Sequence, residues 1–249
     1  MPLRNWSENV QFSSAPVHAP ETIEELQEIV GASRKVRVLG ARHSFNDVAA
    51  IDEQVDDASE AKGLAEDSSW AYISLEQLNA PVEFSSERGT VTCSGGITYG
   101  ELCERMHRHG VALHNTASLP HITVAGACAT GTHGSGDGNG NLSTAVVGLE
   151  LVTADGELRS ITLEENRETF EGAVVALGGL GVVTRVTLAT EPAFAMQQYV
   201  YEDMASSVLH EHFDGVMSSA YSVSLFPDWQ DGTCNQVWLK HRTGLWGET

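Results

Sequence analysis

Two stretches of this chain combine residue types that can do chemistry. The first is Arg37-Val38-Leu39-Gly40-Ala41-Arg42-His43-Ser44-Phe45-Asn46, an apolar run ending in a glycine turn that presents one histidine. Glycine at a strand end admits positive φ and lets the backbone approach a ligand closely. The amides that follow suit anionic oxygens. The second is Ser118-Leu119-Pro120-His121-Ile122-Thr123-Val124-Ala125-Gly126-Ala127-Cys128-Ala129-Thr130-Gly131-Thr132-His133-Gly134-Ser135-Gly136. From Thr130 onward it offers amides and hydroxyls with little side-chain obstruction, as a pyrophosphate requires. On spacing alone, His43 also reads as a hydrogen-bonded histidine at a strand end, and Ser118 as a turn-capping serine.

Several familiar sites are absent from the sequence. No Gly-x-Gly-x-x-Gly opens a helix after a strand, and no Gly-x-x-x-x-Gly-Lys-Ser/Thr occurs, so the glycine stretch is neither an NAD nor an ATP loop of the usual kind. Gly134-Ser135-Gly136 is not a Gly-x-Ser-x-Gly elbow, which disfavours an α/β-hydrolase. His114, His121 and His133 share one segment with Asp137, but their spacings match neither a zincin nor a Cys/His finger, and no metal is expected.

The elements that position these residues follow from periodicity and caps. Thr22 and Glu25 form a capping-box pattern ahead of Ile23, Leu26, Ile29 and Val30 at helical spacing. A strand at Val36–Leu39 then delivers the His43 turn. Residues 47–70 are acidic and rich in small residues, which predicts an exposed loop or insertion. Strands are expected at Ala71–Leu75 and Thr90–Ser94. A second capping box, Thr98 with Glu101, opens a helix that runs through His109 to Gly110. Beyond the glycine stretch, Val146–Val152 and Leu158–Leu163 read as strands joined by an Asp155-Gly156 turn. Glu168–Ala176 reads as a helix, and the turn Gly178-Gly179-Leu180-Gly181 leads into a β-branched strand, Val182–Leu188. Pro192 marks a boundary. After it come a strand at Met196–Tyr201, one helix over about 206–219, and strands at Tyr221–Leu225 and Gln236–Lys240.

The chain has 249 residues, enough for a sizeable core, and an ordinary globular composition. Its 34 acidic against 14 basic residues give a net charge of -20. That balance opposes phosphate-backbone binding and repels anionic membranes, so neither a nucleic-acid nor a membrane partner is expected. Cys93, Cys103, Cys128 and Cys234 form no Cys-x-x-Cys pair and read as buried thiols of a cytoplasmic protein. The polar start of the chain carries no apolar signal core.

Together, the two stretches resemble the flavin-binding core of the vanillyl-alcohol-oxidase superfamily, with its PCMH-type FAD-binding domain. Ala117-Ser118-Leu119-Pro120-His121 with Thr130-Gly131-Thr132-His133-Gly134-Ser135-Gly136 is most similar to the alditol (xylitol/sorbitol) oxidases and their aldonolactone oxidase sisters. The resemblance implies an α+β fold: a two-lobed FAD-binding PCMH-type domain over residues 1–192, then an incomplete substrate (cap) domain over 193–249. It implies one FAD, joined covalently from a ring nitrogen of His43 to the flavin's dimethylbenzene methyl. An unprotonated imidazole is a competent nucleophile for that bond. The cofactor-contacting positions it implies are Gly40, Ala41, Arg42, His43, Ser44, Phe45, Ser118, Thr123, Gly126, Thr130, Gly131, Thr132 and His133, with Gly178, Gly181 and Val182 for the adenine half. Leu119, Pro120, Ile122 and Val124 are expected to line a flat apolar slot for the ring. Ser118 is the expected catalytic residue, orienting the hydroxyls of a polyol that is oxidised to an aldose while oxygen becomes hydrogen peroxide. An aldonolactone oxidase, or an FAD-binding fragment without independent catalysis, is the alternative. Family members continue well beyond this C-terminus, so the chain looks truncated there; it is expected to be monomeric.

Overall fold

A computed structural model describes residues 2–51, 70–78, 80–229 and 232–245. The acidic stretch expected as a loop lies almost wholly outside them. The first lobe opens with β1 (Val17–His18), α1 (Ile23–Ala32), β2 (Lys35–Val38) and β3 (Trp70–Ile73). These strands form a parallel sheet in the order β1-β3-β2. Thr22 caps α1 by accepting from the Glu25 amide at 3.1 Å, but the Glu25 carboxylate accepts from the Glu21 amide instead of completing the box. Leu26 and Val30 of α1 are buried, as the 3.6-residue period requires.

The second lobe is an antiparallel sheet in the order β4-β5-β9-β7-β8. It comprises β4 (Glu83–Ser85), β5 (Thr90–Ser94), β7 (Val146–Val152), β8 (Leu158–Thr162) and β9 (Val182–Ala189). Alternate residues of β9, from Val182 to Leu188, are buried, as one covered face dictates. Over that face lie α2 (Tyr99–Arg108), α3 (Val124–Ala129) and α4 (Arg167–Val174). Tyr99, Leu102 and Met106 of α2 meet Val91, Cys93, Val186 and Leu188 of the sheet in one core. The Thr98–Glu101 box forms in full at the start of α2. A short pairing of β6 (Val111–Ala112) with β10 (Glu191–Pro192) closes this lobe.

α1 joins the lobes. Leu26 and Val30 pack against Ile73 and Leu75 on one side and Val152 and Val182 on the other. Gln27 Nε2 donates to the Gly156 carbonyl at 2.6 Å.

After Pro192 the chain forms a third, antiparallel sheet in the order β11-β13-β12: β11 (Phe194–Ala205), β12 (Ser222–Pro227) and β13 (Thr233–Leu245). These strands are longer than expected, because β11 and β13 pair from Phe194 to Ala205 and twist through a bulge at Ala195/Met196. The single helix expected over 206–219 is instead two, α5 (Ser206–Glu211) and α6 (Phe213–Met217), which meet at His212. Neither buries a residue, and serine and glycine propagate a helix poorly, so nothing holds the two in line.

Candidate functional site

The last ladder bond of β2 runs from the Leu39 amide to the Ile73 carbonyl, at 2.8 Å. The turn then leaves the sheet. Its glycine is required for close approach, but to Thr123 of the chain itself. A Cβ on Gly40 would stand 2.4 Å from Thr123 Oγ1, whereas the left-handed residue of the turn is Arg42, at φ 58°. Close approach, not positive φ, fixes Gly40. Three carbonyls of the turn are taken by the N-terminal segment. Trp6 N donates to Arg42 O, Asn5 Nδ2 to Ser44 O and Asn9 Nδ2 to Phe45 O, each at 2.9 Å. Among the described residues, no amide from Gly40 to Phe45 donates to another group of the chain. The turn therefore offers a row of amides and has its carbonyls turned away, which suits the oxygens of a pyrophosphate.

Asn5 is only 3% exposed, and its Oδ1 accepts from the Val10 amide at 3.0 Å. Trp6 stacks on the His43 ring, centroids 4.7 Å apart and planes 26° from parallel. The sequence reading missed both residues. The available signal was an aromatic flanked by amide side chains, Asn5-Trp6 with Asn9, but nothing local shows what such a group would grip.

The segment 118–123 is clipped to the N-terminus of α2. Gly100 N donates to Pro120 O at 2.7 Å, and Tyr99 N to Ile122 O at 3.0 Å, so the free amides of the helix are satisfied by this loop. Val124 N donates back to Ile97 O at 2.9 Å. Thr123 then joins the two glycine stretches: its Oγ1 sits between Gly40 and Gly126, where a Cβ would come within 2.4 and 2.7 Å respectively. Ser118 is exposed, as are Leu119 and Pro120. Ile122 and Val124 do not line an open slot as expected; both are buried in the core beneath α2, and only Leu119 and Pro120 remain available to a ligand.

His121, between the two clipped carbonyls, turns its ring to His43. Their centroids are 4.6 Å apart, and Nε2 of one faces Nε2 of the other in a short hydrogen bond. Burial, and then the charge that His121 would carry, hold His43 below the ordinary imidazole range. The turn thus presents a predominantly neutral, nucleophilic ring at neutral pH. His121 had entered the sequence reading as a rejected metal ligand and as the last residue of the Ala117–His121 motif, without a role of its own. Among the described residues no group of three or more His, Cys, Asp or Glu side chains is placed to hold a metal ion.

Thr130, Gly131, Thr132 and His133 follow α3, and their geometry gives Gly131 a structural task. Gly131 N donates to Cys128 O at 3.1 Å and Thr132 N to Ala127 O at 3.0 Å, with Gly131 at φ 64°. This is a Schellman cap with glycine at its left-handed position. Gly134 is not left-handed; a Cβ there would overlap the Asn115 amide at 2.3 Å. His133 is exposed, with Nδ1 2.8 Å from the Gly134 carbonyl.

The turn before β9 joins the same rim. Leu177 N donates to Ala129 O at 3.1 Å, and Gly178 and Gly181 have φ of 75° and 146°. A Cβ on Gly181 would stand 2.4 Å from Val152 O. Val182 has its side chain in the core and can offer a ligand only its backbone.

The structure thus brings residues 40–45, 118–126, 129–133 and 177–181 together, with Ile122 and Val124 buried beneath them. Comparisons with known proteins place the chain in a family. The chain is 43% identical to an alditol oxidase from a Streptomyces species over 97% of its own length and 54% of the relative's. It is 34% identical to the D-arabinono-1,4-lactone oxidase of Yarrowia lipolytica, over 78% of this chain and 35% of that one. It is 29% identical to the L-gulonolactone oxidase of Bos taurus, over 88% and 47%. The chain therefore spans about half the length, or less, of these relatives. Cholesterol oxidase from B. sterolicum shares the fold, with a TM-score of 0.77 at 16% identity, over 97% of this chain and 47% of that one. Residues 14–162 match the FAD binding domain family, and with its amide-lined turn and glycine rim the chain belongs to that family and has FAD as its cofactor.

Proposed function

We propose that this chain is the flavin-binding part of an oxidase that converts a primary alcohol of a polyol, such as xylitol or sorbitol, to the aldehyde. The observation that carries the reading is the meeting of the His43 turn with the exposed Ser118 loop, in a chain 43% identical to an alditol oxidase. FAD, when bound, supplies the two-electron acceptor, and dioxygen the outlet for those electrons as hydrogen peroxide.

The chain's own residues have distinct tasks in this reading. The amides from Gly40 to Phe45, with that of His133, hold the pyrophosphate, because the amides of Thr130, Gly131 and Thr132 are spent on capping α3. The backbone at Gly178, Gly181 and Val182 receives the adenine half. His43 anchors the ring system covalently. Ser118 donates or accepts a hydrogen bond at the reacting hydroxyl and fixes which carbon faces the flavin. Exposed Leu119 and Phe45 supply apolar surface that excludes water once the site is filled. The boundary at residue 192 separates this flavin-binding domain from the start of a substrate domain at 193–249. Among the described residues no helix is long and apolar enough to cross a membrane. In this reading the protein is a cytoplasmic monomer acting on a small molecule, and the net charge of -20 opposes nucleic-acid and anionic-membrane partners.

Aldonolactones are the second substrate class, favoured by the lactone oxidases among the relatives. Purified protein assayed for peroxide with xylitol and with galactonolactone separates the two classes. Greater turnover of xylitol is expected; turnover of the lactone alone would overturn the polyol reading. Should peroxide form with neither until the remaining length of a relative is supplied in trans, the chain is an FAD-binding module without independent catalysis.

A further inference from the structure

We propose that His121 is the positioning and proton-accepting partner of His43 when the flavin is attached to the chain. The inference rests on the reading that His43 is the attachment point. His121 is carried by backbone that cannot drift. The carbonyls on either side of it, Pro120 and Ile122, accept from the first amides of α2 at 2.7 and 3.0 Å. His43 is held as firmly: Trp6 covers one ring face, and residues 5–9 grip the carbonyls of its turn. Two imidazole Nε2 atoms facing each other in a hydrogen bond share one proton. With His43 as donor, its Nδ1 carries the lone pair, and the ring is aligned by a partner that can take the Nε2 proton.

The step balances as follows. Nδ1 of His43 forms a bond to the ring-methyl carbon of the flavin. One methyl C–H bond breaks, its proton going to solvent. The Nε2 proton of His43 passes to His121. The two electrons released reside on the flavin ring and are removed by dioxygen, which with two protons becomes hydrogen peroxide. A neutral His43 is the reactive form, consistent with the lowered proton affinity that burial and His121 impose on it.

The test follows covalent attachment, not turnover. Flavin-free protein is mixed with FAD in air, sampled over time, denatured and scored by in-gel flavin fluorescence. His121→Ala and His121→Gln should bind FAD, seen as a raised melting temperature, yet attach it at least tenfold more slowly than wild type. Added imidazole should restore a measurable part of the rate in His121→Ala. A loop that merely lost its shape would not respond to imidazole. His121→Gln keeps a hydrogen-bonding group without a proton-accepting nitrogen, so attachment at the wild-type rate in Gln would overturn the proton-accepting role. Wild-type rates in both variants would overturn the whole inference while leaving His43 as anchor. Release of all flavin from denatured wild-type protein would instead remove the anchor reading, and this inference with it.

Discussion

At the scale of single residues, the site depends on how a few polar groups are paired. Asn5 illustrates this. Its amide bridges Val10 to the Ser44 carbonyl, and it is buried. Asn5→Ala leaves that carbonyl without its donor and loosens the turn whose amides face the ligand. We expect FAD affinity to fall about tenfold to a hundredfold, consistent with the roughly 1–3 kcal/mol of one buried hydrogen bond, measured by titrating flavin fluorescence. His43→Ala should release FAD on acid precipitation while the fold survives, because the ring is partly exposed and packs on Trp6 and His121, both exposed themselves. His43 also predicts a pH dependence. Its proton affinity is lower folded than unfolded, so the unfolded state binds more protons as pH falls through the unfolded value near 6.5. The contribution is complete above that pH and is lost below it. The melting temperature of flavin-free protein should therefore drop less between pH 7.5 and about pH 5 in His43→Asn than in wild type. An equal drop in both would show that His43 does not feel its surroundings. The turn that presents His43 was legible in the sequence because its glycine marks it locally. His121, 78 positions away, was not, because only the packing of the 118–123 loop on α2 shows which way it faces.

At the scale of elements, patterning and caps carried most of the information. β9 alternates buried and open residues, and α2 opens with a complete capping box, so both follow from a local reading. α3 escaped it. Its six residues, Val-Ala-Gly-Ala-Cys-Ala, sit inside a run of glycines and threonines, and helices this short are set by tertiary packing. Recognising α3 changes what Gly131 does. Its left-handed φ closes the helix, and the cap, which uses the Thr132 amide, sets the direction in which the His133 amide leaves it. A β-branched residue there meets roughly 1–2 kcal/mol of backbone strain. Gly131→Val should lower the melting temperature of the flavin-free protein and abolish FAD uptake. Gly131→Asn, which tolerates the left-handed region, should restore most of the stability. If Asn restores stability but not uptake, the space beside Gly131 belongs to the ligand as well as to the cap; if Val retains both, neither reading of Gly131 holds.

At the scale of the whole molecule, the question is how the sheet after Pro192 is held to the lobes that carry the site. The sequence suggested a boundary there but gave no sign of the joint, because the joining residues lie far apart in the chain. Arg242 of β13 makes it. Its guanidinium lies 3.7 Å from the Phe194 ring centroid and 4.0 Å from that of Tyr221, in the angle between the two tilted rings. Its two terminal nitrogens donate to the two oxygens of Glu191 at 2.8 and 2.6 Å, and it also bonds the Tyr221 hydroxyl. That hydroxyl donates in turn to the His114 carbonyl at 2.5 Å, just ahead of the Ser118 loop. Nearby, Asn139 Nδ2 donates to the Tyr221 carbonyl at 3.1 Å, and Ser135 and Ser222 share a short hydrogen bond. The start of β12 is thus docked on the glycine stretch, and Arg242 fixes the angle of the sheet against it. A planar guanidinium is needed, since an ammonium can neither fork to a carboxylate nor meet two rings while doing so. Arg242→Lys should therefore behave more like Arg242→Ala than like wild type, each costing about 2–3 kcal/mol of stability in urea unfolding. Glu191→Gln should cost less, because it keeps an acceptor for one of the two bonds. Hydrogen exchange locates the effect: in Arg242→Lys, protection should fall across 194–205 and 233–245 and at His114 to Ser118, while β5, β7 and β9 keep theirs. Uniform loss across all three sheets would mean that Arg242 supports the molecule generally, and that the later sheet has no joint of its own.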